Sequence, residues 1–180
     1  LRAREIPLKL YAGMEVYMTP EVPGLLRQGK LLPFGGSRYL LVEFGFDESR
    51  RFAEQMLDAI RKEGVIPVVA HPERYRFVQR ERECLLHWIG EGLVLQINKG
   101  SLFGMFGRSA AQVANWCLGE GCIHLIGSDA HSPFRRTTRL ADAWDYAADF
   151  DSPEIADFLL EKNPAAILDD RPVRPVLAAF

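Results

Sequence analysis

Two short runs of the sequence combine side chains that bind metal ions, and each run follows an apolar stretch. His71 comes directly after the apolar run 65–70, and Asp129 and His131 follow a second apolar run, 123–127. A buried parallel strand presents the residues at its carboxyl end to the rim of the sheet, where α/β proteins keep their reactive groups. Carboxylates and imidazoles in these positions indicate a hydrolase that depends on a metal ion.

Other predicted strands end in the same kinds of side chain. Glu15 and Glu43 lie near the ends of two strands, and Gln96 and Asn98 lie near the end of a third. Each residue alone is compatible with a purely structural role, because a strand-end acid is often exposed and His71 precedes a proline in a loop. Their occurrence at successive strand ends favours one shared site. Such ligands, without cysteine, suit Mn²⁺, Fe²⁺ or Zn²⁺.

Two arginines follow the predicted ligands by a few residues. Arg74 and Arg136 could each extend over the site, and a guanidinium group matches two phosphate oxygens at once. The sequence is equally compatible with structural roles for both, because Arg74 could pair with Glu73 or Glu81, and Arg136 could belong to a solvated cluster of arginines. Structural roles are also predicted for the two remaining histidines, His87 and His124.

Other catalytic plans do not fit this sequence. A cysteine phosphatase needs an arginine six residues after its nucleophile, and glycine, isoleucine and serine occupy those positions after Cys84, Cys117 and Cys122. The sequence also lacks the Gly-x-Ser-x-Gly elbow of α/β-hydrolases. The glycines within 100–107 resemble a phosphate-binding loop only weakly, and the aromatic residues among them serve either packing or an aromatic substrate.

The composition is that of one packed domain. Hydrophobic residues make up 48% of the 180 residues and charged residues 26%, and the net charge of −2 gives no reason to expect a nucleic-acid partner. Because no apolar run approaches the ~20 residues of a membrane span, membrane insertion is not expected. Three cysteines without paired spacing argue against a disulfide framework and favour the cytoplasm.

Apolar patterns alternate between strand and helix along the chain. The runs that predict strands are 9–16, 39–44, 65–70, 93–97 and 123–128. The segments that predict helices are 19–29, 49–62, 80–91, 109–119, 138–148 and 153–161. Ser109 is predicted to cap its helix, and Asn163 to cap a last short one. This alternation predicts an α/β fold with a parallel sheet wrapped by helices.

These motifs, taken in order, resemble the polymerase-and-histidinol-phosphatase (PHP) superfamily. The closer resemblance is to its bacterial manganese-dependent protein-tyrosine phosphatases of the capsule and exopolysaccharide type. The matching segments cover nearly the whole chain and are 12–16, 39–44, 70–75, 96–98, 100–104, 128–131 with Arg136, and 163–168. The resemblance implies a distorted (β/α) TIM-like PHP barrel with up to three metal ions in the complete protein, Mn²⁺ or else Fe, Zn or Mg.

Carried over by position, the resemblance implies a full set of site residues. The metal ligands would be Glu15, Glu43, His71, Asp129 and His131. Arg74 and Arg136 would bind phosphate. The implied substrate is phosphotyrosine in the tail of a bacterial tyrosine kinase that regulates capsule and exopolysaccharide export. The sequence is compatible with either a monomer or a homo-oligomer. The alternatives are a small-molecule phosphatase of the histidinol-phosphate kind and a degenerate, non-catalytic barrel.

The chain departs from the family pattern at its start. The family opens with a His-x-His strand, and no histidine precedes Glu15 in this sequence. We therefore expect residues 1–180 to form a single PHP-type phosphatase domain that is incomplete at its N-terminus and lacks its first strand or strands. At least one metal ion would then lose ligands.

Overall fold

The computed structural model describes residues 8–178, and its centre is a sheet of five parallel strands. In pairing order the strands are β1 (Glu15–Tyr17), β2 (Tyr39–Glu43), β3 (Ile66–Ala70), β4 (Val94–Asn98) and β5 (Leu125–Gly127). Every neighbouring pair is parallel, so all five strands end at the same edge of the sheet. The predicted α/β fold with a parallel sheet is confirmed.

Helices connect these strands. They are α1 (Val22–Arg27), α2 (Arg50–Arg61), α3 (Arg76–Arg80), α4 (Cys84–Gly90), α5 (Lys99–Leu102), α6 (Arg108–Gly119), α7 (Ala141–Phe150), α8 (Pro153–Asp157) and α9 (Asn163–Leu168). Short 3₁₀ turns occur at Phe34–Gly36, Pro72–Arg74 and Val176–Ala178, and a π-helical segment, Phe158–Lys162, joins α8 to α9. Among residues 8–178, no helix combines the length and apolar character needed to cross a bilayer.

The two faces of the sheet pack differently, because successive side chains of a strand point to opposite sides. The strand residues that pack against the helices in the main core are Val16, Leu40, Val42, Val69, Leu95, Ile97 and Ile126. A smaller cluster on the other face contains Tyr39, Val68, Val94, Leu125 and, from α9, Ile167. Glu15 and Glu43 share the parity of this second face, so the alternation that fills the core also sets the direction of the site residues.

Helix α2 lies within the predicted segment 49–62 and is amphipathic. Ser49 caps its first turn by accepting a hydrogen bond from the backbone N–H of Phe52 at 3.2 Å. The buried residues of the helix are Ala53, Met56, Leu57 and Ile60, at the spacing of one helical face. After the helix ends, Gly64 adopts a φ of 86°, which the chain needs in order to turn into β3.

Some element boundaries differ from the sequence prediction. Strand β1 contains only the last two residues of the predicted run 9–16 and extends one residue beyond it, to Tyr17, and the residues 9–14 before it are exposed and belong to no strand. The predicted helix 80–91 corresponds to α4, which begins only at Cys84, and Arg80 instead ends the separate short helix α3. The two helices are divided at Glu81, which leaves the helical region with φ −143° and ψ 68°.

Two predicted helix caps are also wrong. Helix α6 begins at Arg108, one residue before Ser109, and its cap position is Gly107 with a φ of 93°. Asn163 has helical backbone angles and does not cap α9. Its side-chain amide instead donates hydrogen bonds to the carbonyl oxygens of His124 at 2.8 Å and Arg174 at 2.9 Å, which ties the C-terminal segment to the start of β5.

Candidate metal centre

Three predicted metal ligands meet at the carboxyl edge of the sheet. His71 follows β3, and its Nε2 lies 3.3 Å from Oε1 of Glu15 on β1 and 3.4 Å from Oε2 of Glu43 on β2. Ligand atoms of all three residues lie within 4.8 Å of one another. The imidazole is 3% exposed and the two carboxylates about a third exposed, so the cluster is anchored in the core and open to solvent on one side.

The donor set of this triad fits a divalent cation. Two ligand atoms bound to one ion at about 2.1 Å lie roughly 3.0–3.4 Å apart for octahedral or tetrahedral angles, and both carboxylates lie at such a distance from Nε2 of His71, at 3.3 and 3.4 Å. Burial raises the pKa of Glu43, and the negative charge of Glu15 raises it further. A cation between the carboxylates would offset that repulsion. Two carboxylates and one imidazole suit hard or borderline ions such as Mn²⁺, Fe²⁺ or Zn²⁺.

The backbone at two predicted ligands occupies the left-handed region. His71 has a φ of 35° and Asp129 a φ of 47°, and neither is a glycine. Such conformations cost on the order of 1–3 kcal/mol and persist where the surrounding structure enforces them, typically at functional sites. At His71 the turn into Pro72–Arg74 follows at once, and the imidazole lies against the first two strands.

Tyr75 joins the strand ends that carry the triad. Its hydroxyl donates a hydrogen bond to the carbonyl oxygen of Ala70 at 2.7 Å and accepts one from the backbone N–H of Phe44 at 3.2 Å. Tyr75 is fully buried, and its ring packs edge-on against the rings of Phe44 and His71. One side chain therefore fixes the end of β2, the end of β3 and the imidazole between them.

A second cluster forms around Asp129, which follows β5. The carboxylate is 5% exposed and pairs with the guanidinium groups of Arg136 and, at 3.6 Å, Arg74. The side-chain amide of Asn98 also donates to its Oδ2 at 2.5 Å, and Nε of Arg136 donates to its carbonyl oxygen at 3.1 Å. Both arginines predicted to bind phosphate therefore lie at one carboxylate. Arg74 is not paired with Glu73 or Glu81, and Arg136 is not part of a solvated cluster of arginines.

Arg74 is held between two aromatic rings. Its guanidinium carbon lies 4.3 Å from the ring centroid of Phe46 and 4.2 Å from that of Phe106, and Arg136 lies 5.7 Å from Phe106. The ring of Phe46 is also 6.1 Å from the ring of His71. Phe46 therefore contacts both clusters and places Arg74 beside the triad. A cavity of about 290 Å³ borders this arginine.

The five predicted ligands are thus divided in the structure. Glu15, Glu43 and His71 form one cluster, and Asp129 belongs to the arginine cluster next to it. His131 joins neither the triad nor the core: its side chain is 59% exposed, and its Nδ1 lies 3.0 Å from the carbonyl oxygen of Asp129 and 3.3 Å from Oδ1 of the same residue.

Several residues that shape this site carry little or no signal in the sequence. Phe46 has no local signal, because its contact with Arg74 joins two different loops. The contact of Phe106 has a weak signal in Gly100, where an added Cβ would lie 2.7 Å from the Phe106 ring. Glu73 lies inside the motif 70–75 without a predicted role of its own, yet burial raises its pKa to about 7 and its carboxylate links two loops of the site.

Fold and site together define an α/β protein whose sheet edge carries a candidate cation-binding triad beside two arginines. Residues 1–169 match the model of the family described as capsular polysaccharide synthesis, CpsB/CapC. The chain belongs to this family.

Relatives and a solved structure agree with that assignment. The tyrosine-protein phosphatase YwqE of Bacillus subtilis is 31% identical over 169 residues, which are 94% of this chain and 66% of the relative, so the chain spans just under two thirds of it. The tyrosine-protein phosphatase CpsB of Streptococcus pneumoniae is 29% identical over 182 residues, with 95% and 75% covered.

A chain from the crystal structures of YwqE and CpsB, described as unique metal-dependent tyrosine phosphatases, has the same fold. Its TM-score to this chain is 0.83 at 31% identity, and the match covers 97% of this chain and 72% of that one. The resemblance to bacterial tyrosine phosphatases of the capsule type, expected from the motifs, is confirmed.

Proposed function

We propose that this protein is a metal-dependent protein-tyrosine phosphatase. It would act in the cytoplasm, where it would hydrolyse phosphotyrosine on a bacterial tyrosine kinase and so regulate capsule and exopolysaccharide synthesis. The observation that carries the proposal is the juxtaposition, through Phe46, of a cation-binding triad and an arginine cluster. Family membership and relatives named tyrosine-protein phosphatases support the same reaction.

The proposed metal ligands are Glu15, Glu43 and His71, joined by Asp129 and His131. The proposed ion is Mn²⁺, with Fe, Zn or Mg as the other ions that this donor set would accept. When bound, such ions lower the pKa of a coordinated water and offset negative charge on a phosphoryl group. The buried His71 fixes one side of the site, while the partly exposed carboxylates leave room for substrate on the other.

Arg74 and Arg136 are the proposed phosphate-binding residues. Their guanidinium groups already converge on the carboxylate oxygen Oδ2 of Asp129, an anionic group that a phosphoryl oxygen resembles in charge. The guanidinium of Arg74 is stacked between the rings of Phe46 and Phe106, which restricts its motion. Arg74 therefore loses less conformational freedom when it binds phosphate. Hydrolysis breaks the bond between phosphorus and the phenol oxygen, and a phenol, with a pKa near ~10, leaves without much help from an acid.

We further propose that residues 1–180 belong to a single PHP-type domain with a distorted (β/α) barrel. All-parallel strands in sequential order, with the main helical core on one face and the carboxylates of Glu15 and Glu43 on the other, support this architecture.

The test measures phosphate release from a phosphotyrosine peptide, with histidinol phosphate as a competing substrate. We expect turnover that a chelator abolishes and Mn²⁺ restores, with the peptide preferred. Glu43→Gln should lower kcat/KM by on the order of 100-fold or more, because it replaces a charged ligand with a neutral amide of nearly the same shape. The control is Glu120→Gln at an exposed position. Preference for histidinol phosphate, or no metal-dependent release of phosphate, would contradict the proposal.

A further inference from the structure

Glu73 is an acidic residue enclosed in the core immediately beside the triad. It lies in the 3₁₀ turn Pro72–Arg74, two residues after His71, and none of its surface is exposed. Its Oε1 accepts two hydrogen bonds, from the hydroxyl of Ser101 at 2.5 Å and from the backbone N–H of Asn98 at 3.2 Å. Glu73 is thus tied to the end of β4 and to α5.

The other carboxylate oxygen of Glu73 has no partner. Within the part of the chain that the structure describes, Oε2 of Glu73 and Nδ1 of His71 are the two buried side-chain atoms left without a hydrogen bond. No lysine or arginine among those residues forms an ion pair with Glu73 either. A buried polar atom without a partner costs on the order of 1–3 kcal/mol, so two of them in one turn require a physical reason.

The two unpartnered atoms are chemically complementary. Nε2 of His71 is directed at the carboxylates of Glu15 and Glu43, which leaves Nδ1 on the opposite edge of the ring. A neutral imidazole that binds a cation through Nε2 carries its proton on Nδ1. Histidines that bind metals almost always donate this second N–H to a carboxylate, a carbonyl oxygen or a water.

We propose that Glu73 is the positioning residue of the metal centre: its Oε2 accepts the Nδ1–H of His71 when Nε2 binds a cation. This inference rests on the proposed function, because it requires the triad to bind a metal ion. Glu73 is not itself a ligand in this assignment, since it lies outside the triad and its Oε1 is already occupied by two donors.

The same carboxylate connects the two clusters of the site. Oε1 of Glu73 binds the backbone N–H of Asn98, and the side-chain amide of Asn98 binds Asp129. The imidazole of His71, the end of β4 and the carboxylate of Asp129 are therefore positioned through one buried group. Displacing Glu73 would disturb the triad and the arginine cluster together.

The experiment uses Zn²⁺ as a diamagnetic probe and ¹⁵N-labelled histidine. The chain has four histidines, so the imidazole spectrum is simple to assign by substitution. In the Zn²⁺-loaded wild-type protein we expect His71 to bind through Nε2 and to show a slowly exchanging, downfield Nδ1 proton. Its absence from the loaded wild-type protein would overturn the proposal without any variant being needed.

Variants of Glu73 supply the second readout. Glu73→Gln cannot present one oxygen to the Ser101 and Asn98 donors and another to His71, so we expect the Nδ1 proton signal to be lost and Zn²⁺ affinity to fall about 10- to 100-fold. Glu73→Asp, which keeps the carboxylate, should recover part of both. The matched control is Ser101→Ala, which removes a donor to Oε1 but leaves Oε2 intact, and should keep the signal and the affinity within about threefold.

The outcomes separate the two proposals. If Glu73→Gln binds Zn²⁺ as tightly as the wild-type protein, the positioning role is wrong while the metal centre stands. If the wild-type protein binds no Zn²⁺ in a saturable manner, the metal centre itself is wrong, and the proposed function with it. Thermal unfolding of each variant shows whether a loss of affinity reflects a loss of fold.

Discussion

Protonation of His124 should control much of the acid sensitivity of the fold. This residue lies just before β5, is 3% exposed, and accepts a hydrogen bond at Nδ1 from the backbone N–H of Leu95 at 3.1 Å. Burial lowers the pKa of His124 from 6.5 to about 4. A proton added at Nδ1 would face the N–H donor of Leu95. The folded chain therefore disfavours the protonated ring, whereas the unfolded chain, in which the ring is solvated, does not.

The sign and size of the effect follow from these values. Because the folded pKa lies below the unfolded one, this contribution to stability is fully present above pH ~6.5 and is lost as the pH falls towards ~4. At about 1.4 kcal/mol per pH unit, a shift of roughly 2.5 units corresponds to about 3 kcal/mol in the free energy of unfolding. Urea unfolding at a series of pH values from about 7.5 to about 4 measures this quantity.

The comparison uses His124→Asn, whose Oδ1 takes the place of the ring acceptor without titrating. Between about pH 7.5 and about pH 4, the free energy of unfolding of this variant should fall by about 3 kcal/mol less than that of the wild-type protein. Its value at neutral pH should be lower, because atoms are removed from the core. His87→Asn, at an exposed position of α4, is the control and should run parallel to the wild-type protein. Parallel curves for His124→Asn and the wild-type protein would refute the reasoning.

Three further predictions concern the arginine cluster and one helix cap. Arg136→Lys should lower kcat/KM for a phosphotyrosine peptide about 10- to 100-fold, because an ammonium group cannot pair two oxygens in parallel; unchanged kinetics would contradict this role. Phe106→Leu should raise KM about 2- to 10-fold while Mn²⁺ affinity, measured by calorimetry, stays unchanged, because Arg74 loses one of its stacking partners. Ser49→Ala should lower the free energy of unfolding by about 1 kcal/mol without affecting turnover, as chemical denaturation will show.

Much of the sheet could be predicted from the sequence, because local apolar runs encode buried parallel strands. Strand β2 and strand β3 lie within the predicted runs 39–44 and 65–70. Once strands are parallel, their carboxyl ends share an edge, which places Glu43 and His71 side by side, and the alternation of side chains turns Glu15 on β1 to the same face. The sheet therefore accounts for the neighbourhood of the three residues, whereas the direction of the His71 imidazole also depends on the turn after β3, where His71 has a φ of 35°.

The rest depends on loops whose shape no local pattern specifies. Arg74 pairs with Asp129, which is distant in sequence, and not with the nearer acids at 73 and 81. Oε1 of Glu73 accepts from Ser101 inside the core, and Glu81 pairs with Arg50, while the guanidinium of Arg74 lies between the rings of Phe46 and Phe106 beside Asp129. The exposed position of His131 follows from the turn after β5, where Asp129 takes a backbone conformation that few non-glycine residues adopt.

The left-handed backbone at His71 and Asp129 has a consequence for how this protein would respond to selection. Glycine or asparagine would relieve the unfavourable φ at either position, but would also remove the contacts of the buried His71 ring with Phe46 and Tyr75, or the charge of Asp129 that Arg74 and Arg136 pair with. The same replacements would remove an imidazole or a carboxylate from the edge of the sheet. A search for heat-tolerant variants would therefore tend to retain both residues, because the contacts of their side chains outweigh the cost of the unfavourable φ.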